Sequence, residues 1–313
     1  MKRLLFVLQA GLFIAFNFSL LLTGYQLATG SQSFTQNQVY NTKPVYNFKE
    51  EFDPSLHTLN TVDKLVAFCD GLYTEKASTN SSIALNEVYP DIVSSVIRKR
   101  FYHGYSEYGF SNNYMAMMLS GVTMEGLSAI VVPNDILKYP YAACSQQSII
   151  FMEILRKKGF PTRKVGFKGK ENGHFCFEVY YNKGWHFYDP DMEPSVAVLN
   201  AYNHPSIAFL AQHPEILVKA YHQYPREKTL DIFMNYTYGP VNTFAAPKAM
   251  IFQKATKIFS YTIWLFFLLA FILVRRKYLR LSRQYVRNNR IHLSRIQPET
   301  PPVFYPNYSA QGA

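Results

Sequence analysis

Two long apolar runs dominate the hydrophobic pattern of this chain. Leu4–Leu22 contains nineteen residues and Ile258–Val274 contains seventeen, none with a formal charge. At ~1.5 Å per residue, helices of these lengths cross or nearly cross a hydrocarbon core about 30 Å thick. The pattern predicts a transmembrane helix over 256–274. For 1–28 two interpretations remain, an uncleaved membrane anchor or a signal peptide cleaved after small residues.

Between these runs, the clearest periodicity lies in the middle of the chain. Apolar residues recur at helical spacing behind Cys144 and predict a helix from Ser145 to Lys158, which Gly159 then ends. Three shorter segments alternate like strands: Thr162–Phe167, His174–Tyr181 and Trp185–Asp189. The turn residues 182–184 join the last two segments into a predicted β-hairpin.

The remaining segments are less regular. Pro90 is expected to begin a helix, and the pairs His204-Pro205 and His213-Pro214 each indicate a helix with proline at its first position. We divide the chain into an anchor or signal peptide (1–28), a polar tether (29–54), a helical region (55–136), a core domain (137–200), a helical extension (201–255), a membrane helix (256–274) and a basic tail (275–313).

The charge distribution predicts the orientation in the membrane. The formal net charge is +11, of which 275–313 carries +7 and Lys2 and Arg3 carry +2. Basic residues beside membrane helices tend to stay in the cytoplasm. We therefore predict a plasma (inner) membrane protein with both termini cytoplasmic and residues 29–255 extracytoplasmic. Nucleic-acid binding is not expected, because the excess charge flanks the apolar runs.

Three cysteines are too few for a disulfide framework. In an oxidising compartment at least one thiol stays free, and a Cys69–Cys176 bridge with Cys144 free is one allowed arrangement. His204, His213 and His222 recur every nine residues, but prolines interrupt the segment and no partner has ligand spacing. We expect neither a metal nor a cofactor.

Cys144 is the strongest candidate for chemistry. It stands at a predicted helix N-terminus, where the macrodipole favours a thiolate. An imidazole (His174) and a carboxylate (Asp189) follow on neighbouring strands, as a cysteine nucleophile requires. Side chains alternate along a strand, so Asp189 reaches the face of His174 only if the hairpin loop has an even number of residues or contains a bulge.

This order of a Cys-bearing helix, a His-bearing strand and an Asp-bearing strand resembles the transglutaminase-like (papain-like thiol) superfamily. The match covers about 139–194, and its parts are Ala142-Ala143-Cys144-Ser145, Leu155-Arg156-Lys157-Lys158-Gly159-Phe160-Pro161-Thr162-Arg163, His174-Phe175-Cys176-Phe177-Glu178-Val179 and Trp185-His186-Phe187-Tyr188-Asp189-Pro190. The resemblance implies an α+β fold in which the core (137–200) packs the Cys-bearing helix on an antiparallel sheet. The hydrophobic pattern adds helical regions around this core and two flanking transmembrane helices.

The resemblance also implies the roles. Cys144 would attack an amide carbonyl, His174 would pair with the thiolate and protonate the leaving amine, and Asp189 would orient the imidazole. Asp191 is the main competitor for the third role, whereas His186 is expected to point away and Glu178 to pair with Arg163. The predicted function is a cysteine acyltransferase or amidohydrolase/peptidase that acts on protein or peptide amides in the cell envelope. The alternatives are an enzyme for glycopeptide amides and a non-catalytic binding or assembly module of an envelope complex.

Overall fold

A computed structural model describes residues 2–30, 51–79, 84–123, 127–170 and 173–296. In chain order the helices are α1 (Lys2–Thr29), α2 (Val62–Thr79), α3 (Leu85–Arg100), α4 (Phe110–Thr123), α5 (Pro133–Ile136), α6 (Cys144–Lys157), α7 (Val196–Asn200), α8 (Ile207–Gln212), α9 (Pro214–Ala220), α10 (Arg226–Phe233) and α11 (Pro247–Ile296). The strands are β1 (Tyr102–His103), β2 (Tyr141–Ala142), β3 (Thr162–Lys168), β4 (Gly173–Tyr181), β5 (Gly184–Tyr188) and β6 (Tyr236–Tyr238). Pro54–Thr58 forms a 3-10 helix.

The chain divides into two compact units, one made of Met1–Leu21 with Tyr261–Ala313 and the other of Leu22–Ser260. Most of the tether predicted at 29–54 lies outside the described residues, as does the end of the tail predicted at 275–313. The domain boundaries proposed from the sequence stay predictions.

In the first unit, parts of α1 and α11 pack side by side. Their aromatic rings meet at Phe13–Phe271, with centroids 5.6 Å apart, and at Phe16–Trp264, 6.4 Å apart. Many of their other apolar side chains are exposed. By length and composition, Lys2–Thr29 and Pro247–Ile291 are both able to cross a membrane. This supports the two predicted spans without fixing their orientation.

The second unit is built on a four-stranded antiparallel sheet in the order β5-β4-β3-β6. The three strands predicted from alternation form its first three members. The edge strand β6 comes from the segment predicted to be wholly helical and was not anticipated. β1 and β2 form a separate parallel pair, with His103 opposite Ala142.

Helices cover both faces of the sheet, because alternate residues of β4 enter two different cores. Phe177 and Val179 face a cluster formed with α2, α3 and α6, where the ring of Phe151 on α6 lies 4.7 Å from that of Phe177. Cys176 faces the opposite cluster, formed with α7–α10. Burying one such Phe stabilises the fold by about 1.5–3 kcal/mol. The predicted α+β fold with the Cys-bearing helix packed on the sheet is confirmed at this level.

Two expected helix starts are wrong. Helix α3 begins at Leu85, so Pro90 lies inside it. Tyr89, just before the proline, is fully buried and stacks on Phe160. This packing stabilises helical residues on the N-terminal side of Pro90, although proline normally stands in the first turn of a helix. Helix α8 does not start at Pro205, because Ser206 caps the next turn by accepting a hydrogen bond from the amide of Phe209. Pro214 does begin α9, as predicted.

All three cysteines are free thiols. Cys69 and Cys176 are both fully buried, but they belong to the two separate hydrophobic clusters on opposite faces of the sheet. The Cys69–Cys176 bridge that the sequence allowed is therefore not formed.

Candidate active site

Cys144 is the first residue of α6 and is half-buried. The residue before it, Ala143, adopts the extended N-cap conformation but has no side-chain oxygen to accept first-turn amides. The amide of Cys144 has no acceptor within its own helix, as is general for a first turn. The sulfur therefore lies at the positive end of the helix dipole, beside an N–H that its own helix does not use.

Gln146 holds this helix start in place. Its side chain is almost completely buried, and its Oε1 accepts hydrogen bonds from the amides of Ala143 and Ser106, both at 3.1 Å. Its Nε2 donates to the carbonyls of Ser106 at 2.7 Å and Ile130 at 2.9 Å. One buried amide thus joins three chain segments around the first turn of α6.

His174 is the second residue of β4 and is buried. Its ring stacks on Phe167 and meets the edge of Phe233, with centroids 6.0 and 5.6 Å away. Its Nε2 donates to Asp189 Oδ2 at 2.8 Å, since an ionised carboxylate can only accept. A ring nitrogen also lies within 4.8 Å of Cys144 Sγ. Because Nε2 is bound to Asp189, Nδ1 is the nitrogen left to face the sulfur.

Asp189 follows β5 and is a buried carboxylate with four donors. His174 Nε2 and the Tyr221 hydroxyl, both at 2.8 Å, donate to Oδ2, while the amides of Asp191 and Met192, both at 3.1 Å, donate to Oδ1. Burial alone would raise the pKa of Asp189, but the charge and hydrogen bond of His174 outweigh it and the pKa lies below its ordinary value.

The same pairing acts on the imidazole. Burial would lower the pKa of His174, yet the adjacent Asp189 carboxylate raises this pKa well above its ordinary value. The imidazolium is therefore favoured at neutral pH, and it lies within reach of Cys144. A protonated imidazole next to a sulfur stabilises the thiolate over the thiol.

The hairpin satisfies the parity condition. Tyr181 pairs with Gly184, so the loop has two residues, Asn182 and Lys183, with φ values of 45° and 64°. Positive φ at both positions is the type I′ conformation that suits a two-residue hairpin. The even loop places Asp189 on the face of β4 that carries His174.

Cys176 lies on the same strand face but has a different character. Its side chain is fully buried, and burial raises the pKa of its thiol well above the ordinary value. Burial likewise raises the pKa of Cys69 to about 12. Of the three cysteines, Cys144 is the one that combines partial exposure with a facing imidazole.

Asp191, the competitor for the third role, binds elsewhere. Its Oδ1 accepts from His103 Nδ1 and Gln147 Nε2, both at 2.9 Å, and its side chain is only 7% exposed. One of its oxygens still lies within 4.8 Å of Cys144 Sγ and of a His174 nitrogen. Asp191 therefore lies close to Cys144 and His174, but the hydrogen bond from His174 Nε2 goes to Asp189.

The other candidates make local contacts. Glu178 pairs with Arg163 at 2.6 Å. His186 points its ring to the main chain, with Nδ1 2.7 Å from the carbonyl of His204. His204 and His213 each place Nδ1 on a carbonyl, of Phe187 and Phe209 respectively.

Sequence reasoning missed four residues that surround the site: His103, Gln146, Gln147 and Tyr221. His103 and Tyr221 reach the site from segments far along the chain, and neither belongs to a recognisable motif. The two glutamines carried a weak signal, because they occupy buried positions of the first turn of α6 where an apolar residue would be usual.

Comparison of the chain with protein-family models, with curated proteins and with solved structures finds no match. The inference of function therefore depends on the geometry alone. That geometry is an α+β protein in which Cys144, at the start of a helix, lies near buried His174 and the carboxylates of Asp189 and Asp191.

Proposed function

We propose that this protein is a transglutaminase-like cysteine acyltransferase or amidohydrolase, with Cys144, His174 and Asp189 as its catalytic triad. The observation that carries the proposal is the 2.8 Å bond from His174 Nε2 to the buried Asp189 carboxylate, with the other ring nitrogen facing a sulfur at a helix start. In cysteine-dependent acyl transfer the sulfur is the nucleophile, the imidazole is the base, and the carboxylate orients the imidazole.

In the proposed reaction, the Cys144 thiolate adds to the carbonyl carbon of a substrate amide. The amide of Cys144, which has no acceptor in its own helix, donates to the developing oxyanion. The imidazolium of His174 gives its Nδ1 proton to the leaving amine as the C–N bond breaks, which leaves a thioester on Cys144. Water or an amine then gives a proton to His174 and attacks the thioester, which releases the acid or a new amide and restores the thiolate.

The same proposal includes the location. The two apolar helices would anchor the protein in the plasma (inner) membrane, with the unit that carries the site outside the cytoplasm and both termini inside. The support is the basic cluster that follows the second apolar run, because basic residues beside a span favour the cytoplasmic side. Substrates would then be protein or peptide amides of the cell envelope.

Selective alkylation tests the proposed nucleophile. In the detergent-solubilised full-length protein, iodoacetamide should label Cys144 below pH 7, much faster than Cys69 and Cys176. The latter two are internal controls, because both thiols are fully buried and have raised pKa values. His174→Ala should abolish the selectivity, since it removes the cation that stabilises the thiolate.

His222→Ala is the matched control, because His222 is exposed and is not among the side chains that bind Asp189 or Asp191. It should leave the labelling rate of Cys144 unchanged. Slow and similar labelling of all three cysteines in the wild-type protein would reject the triad and favour the alternative of a non-catalytic binding module.

A further inference from the structure

The side chains around Cys144 include more than the proposed triad uses. Cys144 Sγ, a His174 ring nitrogen and an Asp191 carboxylate oxygen all lie within 4.8 Å of one another. Asp191 has no part in the proposed acyl transfer, yet its side chain is more than nine-tenths buried beside the sulfur. We propose that Cys144, His174 and Asp191 form a binding site for one zinc ion.

The donor set favours zinc over a hard cation. A thiolate, an imidazole and a carboxylate are all accepted ligands of Zn²⁺, whereas Mg²⁺ and Ca²⁺ select oxygen alone. Bond lengths of about 2.0–2.3 Å place the donors of a tetrahedral zinc site roughly 3.4–3.8 Å apart. Starting from separations of at most 4.8 Å, the three atoms need to approach one another by no more than roughly 1.4 Å. The half-exposed sulfur leaves a fourth position open to water, as in zinc sites with three protein ligands.

Hydrogen bonds behind the ligands already orient them. His174 donates its Nε2 proton to Asp189, so its Nδ1 presents a lone pair when a metal takes the place of the proton. The Asp191 carboxylate is held through Oδ1 by His103 and Gln147. Carboxylate–histidine pairs and hydrogen-bonded carboxylates of this kind typically support metal ligands in proteins.

A second cluster, His174 with Cys176 and Asp189, is a weaker candidate. All three side chains are buried, and the Asp189 carboxylate already accepts four hydrogen bonds. A metal there would displace those donors and would have no open position.

Zinc at Cys144 would regulate the proposed reaction, and this consequence rests on the proposed function. Binding releases the Nδ1 proton of the His174 imidazolium to solvent and occupies the electron pairs of Cys144 and His174 that the acyl transfer needs. The ion would therefore block nucleophilic attack reversibly, and a chelator would restore it.

Zinc titration of the chelator-treated full-length protein in detergent, in competition with a chromogenic zinc indicator, tests the site. The wild type should bind one Zn²⁺ per chain. Asp191→Asn should weaken the affinity by at least about tenfold, the lower end of what even supporting residues contribute. The matched control Asp63→Asn, which alters an exposed carboxylate on α2, should have no effect. Co²⁺ in place of Zn²⁺ should give a thiolate-to-cobalt charge-transfer band that Cys144→Ser removes.

Alkylation separates this inference from the proposed function. With EDTA present, Asp191→Asn should keep the rapid labelling of Cys144, which shows that the protein is folded and the nucleophile intact. Zinc should protect Cys144 in the wild type at concentrations that leave Asp191→Asn reactive. No stoichiometric binding by the wild type, or equal affinity in Asp191→Asn, would overturn the zinc site. Slow labelling that does not depend on His174 would instead reject the triad.

Discussion

Gln146 is the residue whose replacement most directly tests how the helix start is built. Met has nearly the length and volume of Gln but neither donates nor accepts strongly, so Gln146→Met removes four hydrogen bonds with little change in packing. We expect this variant to be markedly less stable than the wild type and to lose the selective alkylation of Cys144, which lies two residues earlier.

The expected loss of unfolding free energy in Gln146→Met follows from the number of backbone groups that lose their hydrogen-bond partner. The amides of Ala143 and Ser106 have no second acceptor within the described part of the chain, and a buried donor left without a partner costs about 1–3 kcal/mol. Two such donors give about 2–6 kcal/mol. The carbonyl of Ser106 is affected less, because it still accepts from the amide of Ile130 at 3.0 Å.

Gln253 on α11 provides a matched comparison. It is also fully buried and donates to the carbonyls of Leu127 and Ala129, but its Oε1 accepts from a single amide, that of Val131 at 2.9 Å. Gln253→Met therefore leaves one donor unpaired, and the expected loss is about 1–3 kcal/mol.

Urea unfolding in detergent, followed by tryptophan fluorescence, measures both variants. We expect Gln146→Met to reduce the free energy of unfolding by more than Gln253→Met does. A smaller loss for Gln146→Met, or a loss below about 1 kcal/mol, would refute the count of unpaired donors. A stable Gln146→Met protein that labels Cys144 at the wild-type rate would refute its positioning role.

Three further predictions concern the triad, the pH dependence and the topology. Asp189→Asn should slow the alkylation of Cys144, because it removes the carboxylate that raises the pKa of His174, and each unit of pKa lost is about a factor of ten in proton affinity; an unchanged rate would exclude Asp189 from the site. Burial, and secondly the charge of Arg100, lowers the pKa of His57 to about 4, below its unfolded value of 6.5. Stability should therefore fall as pH drops from about 6.5 to 4, by at most ~1.4 kcal/mol per pH unit before solvent screening, and urea unfolding should show a flatter profile for His57→Leu. A reporter fused after Ala313 should be active only in the cytoplasm, and an extracytoplasmic signal would reverse the orientation.

The parts of the fold that could be predicted from the sequence are the elements in which buried residues recur at a regular spacing. Helix α6 and strands β3–β5 are long enough for periodicity to record which side is buried. The hairpin turn was located only approximately: the turn residues 182–184 were expected, whereas Gly184 pairs with Tyr181 and leaves a two-residue loop. The even loop followed from requiring Asp189 to share a face with His174, and the turn residues alone did not indicate it.

Strand β6 shows why the other parts were missed. It has three residues, Tyr236–Tyr238, and is defined by pairing with Val165, Gly166 and Phe167 of β3. Three residues are too few to establish a period of two, and their partner lies about seventy residues away. Pro90 failed for a related reason, since the burial of Tyr89 outweighs the preference of proline for a first turn.

The candidate site depends on local sequence order and on contacts between distant segments, and only the first could be predicted from the sequence. Cys144, His174 and Asp189 lie on consecutive elements and were visible as a local order, whereas His103 and Tyr221 arrive from distant segments to hold the two carboxylates. Sequence order alone left Asp189 and Asp191 as competitors, because both follow the same strand. The structure separates them by their hydrogen-bond donors. Asp189 accepts a hydrogen bond from His174 Nε2, whereas Asp191 accepts hydrogen bonds from His103 and Gln147. The second carboxylate lies beside the sulfur but outside the His174–Asp189 pair. A zinc ion would use this arrangement, and no linear motif encodes it.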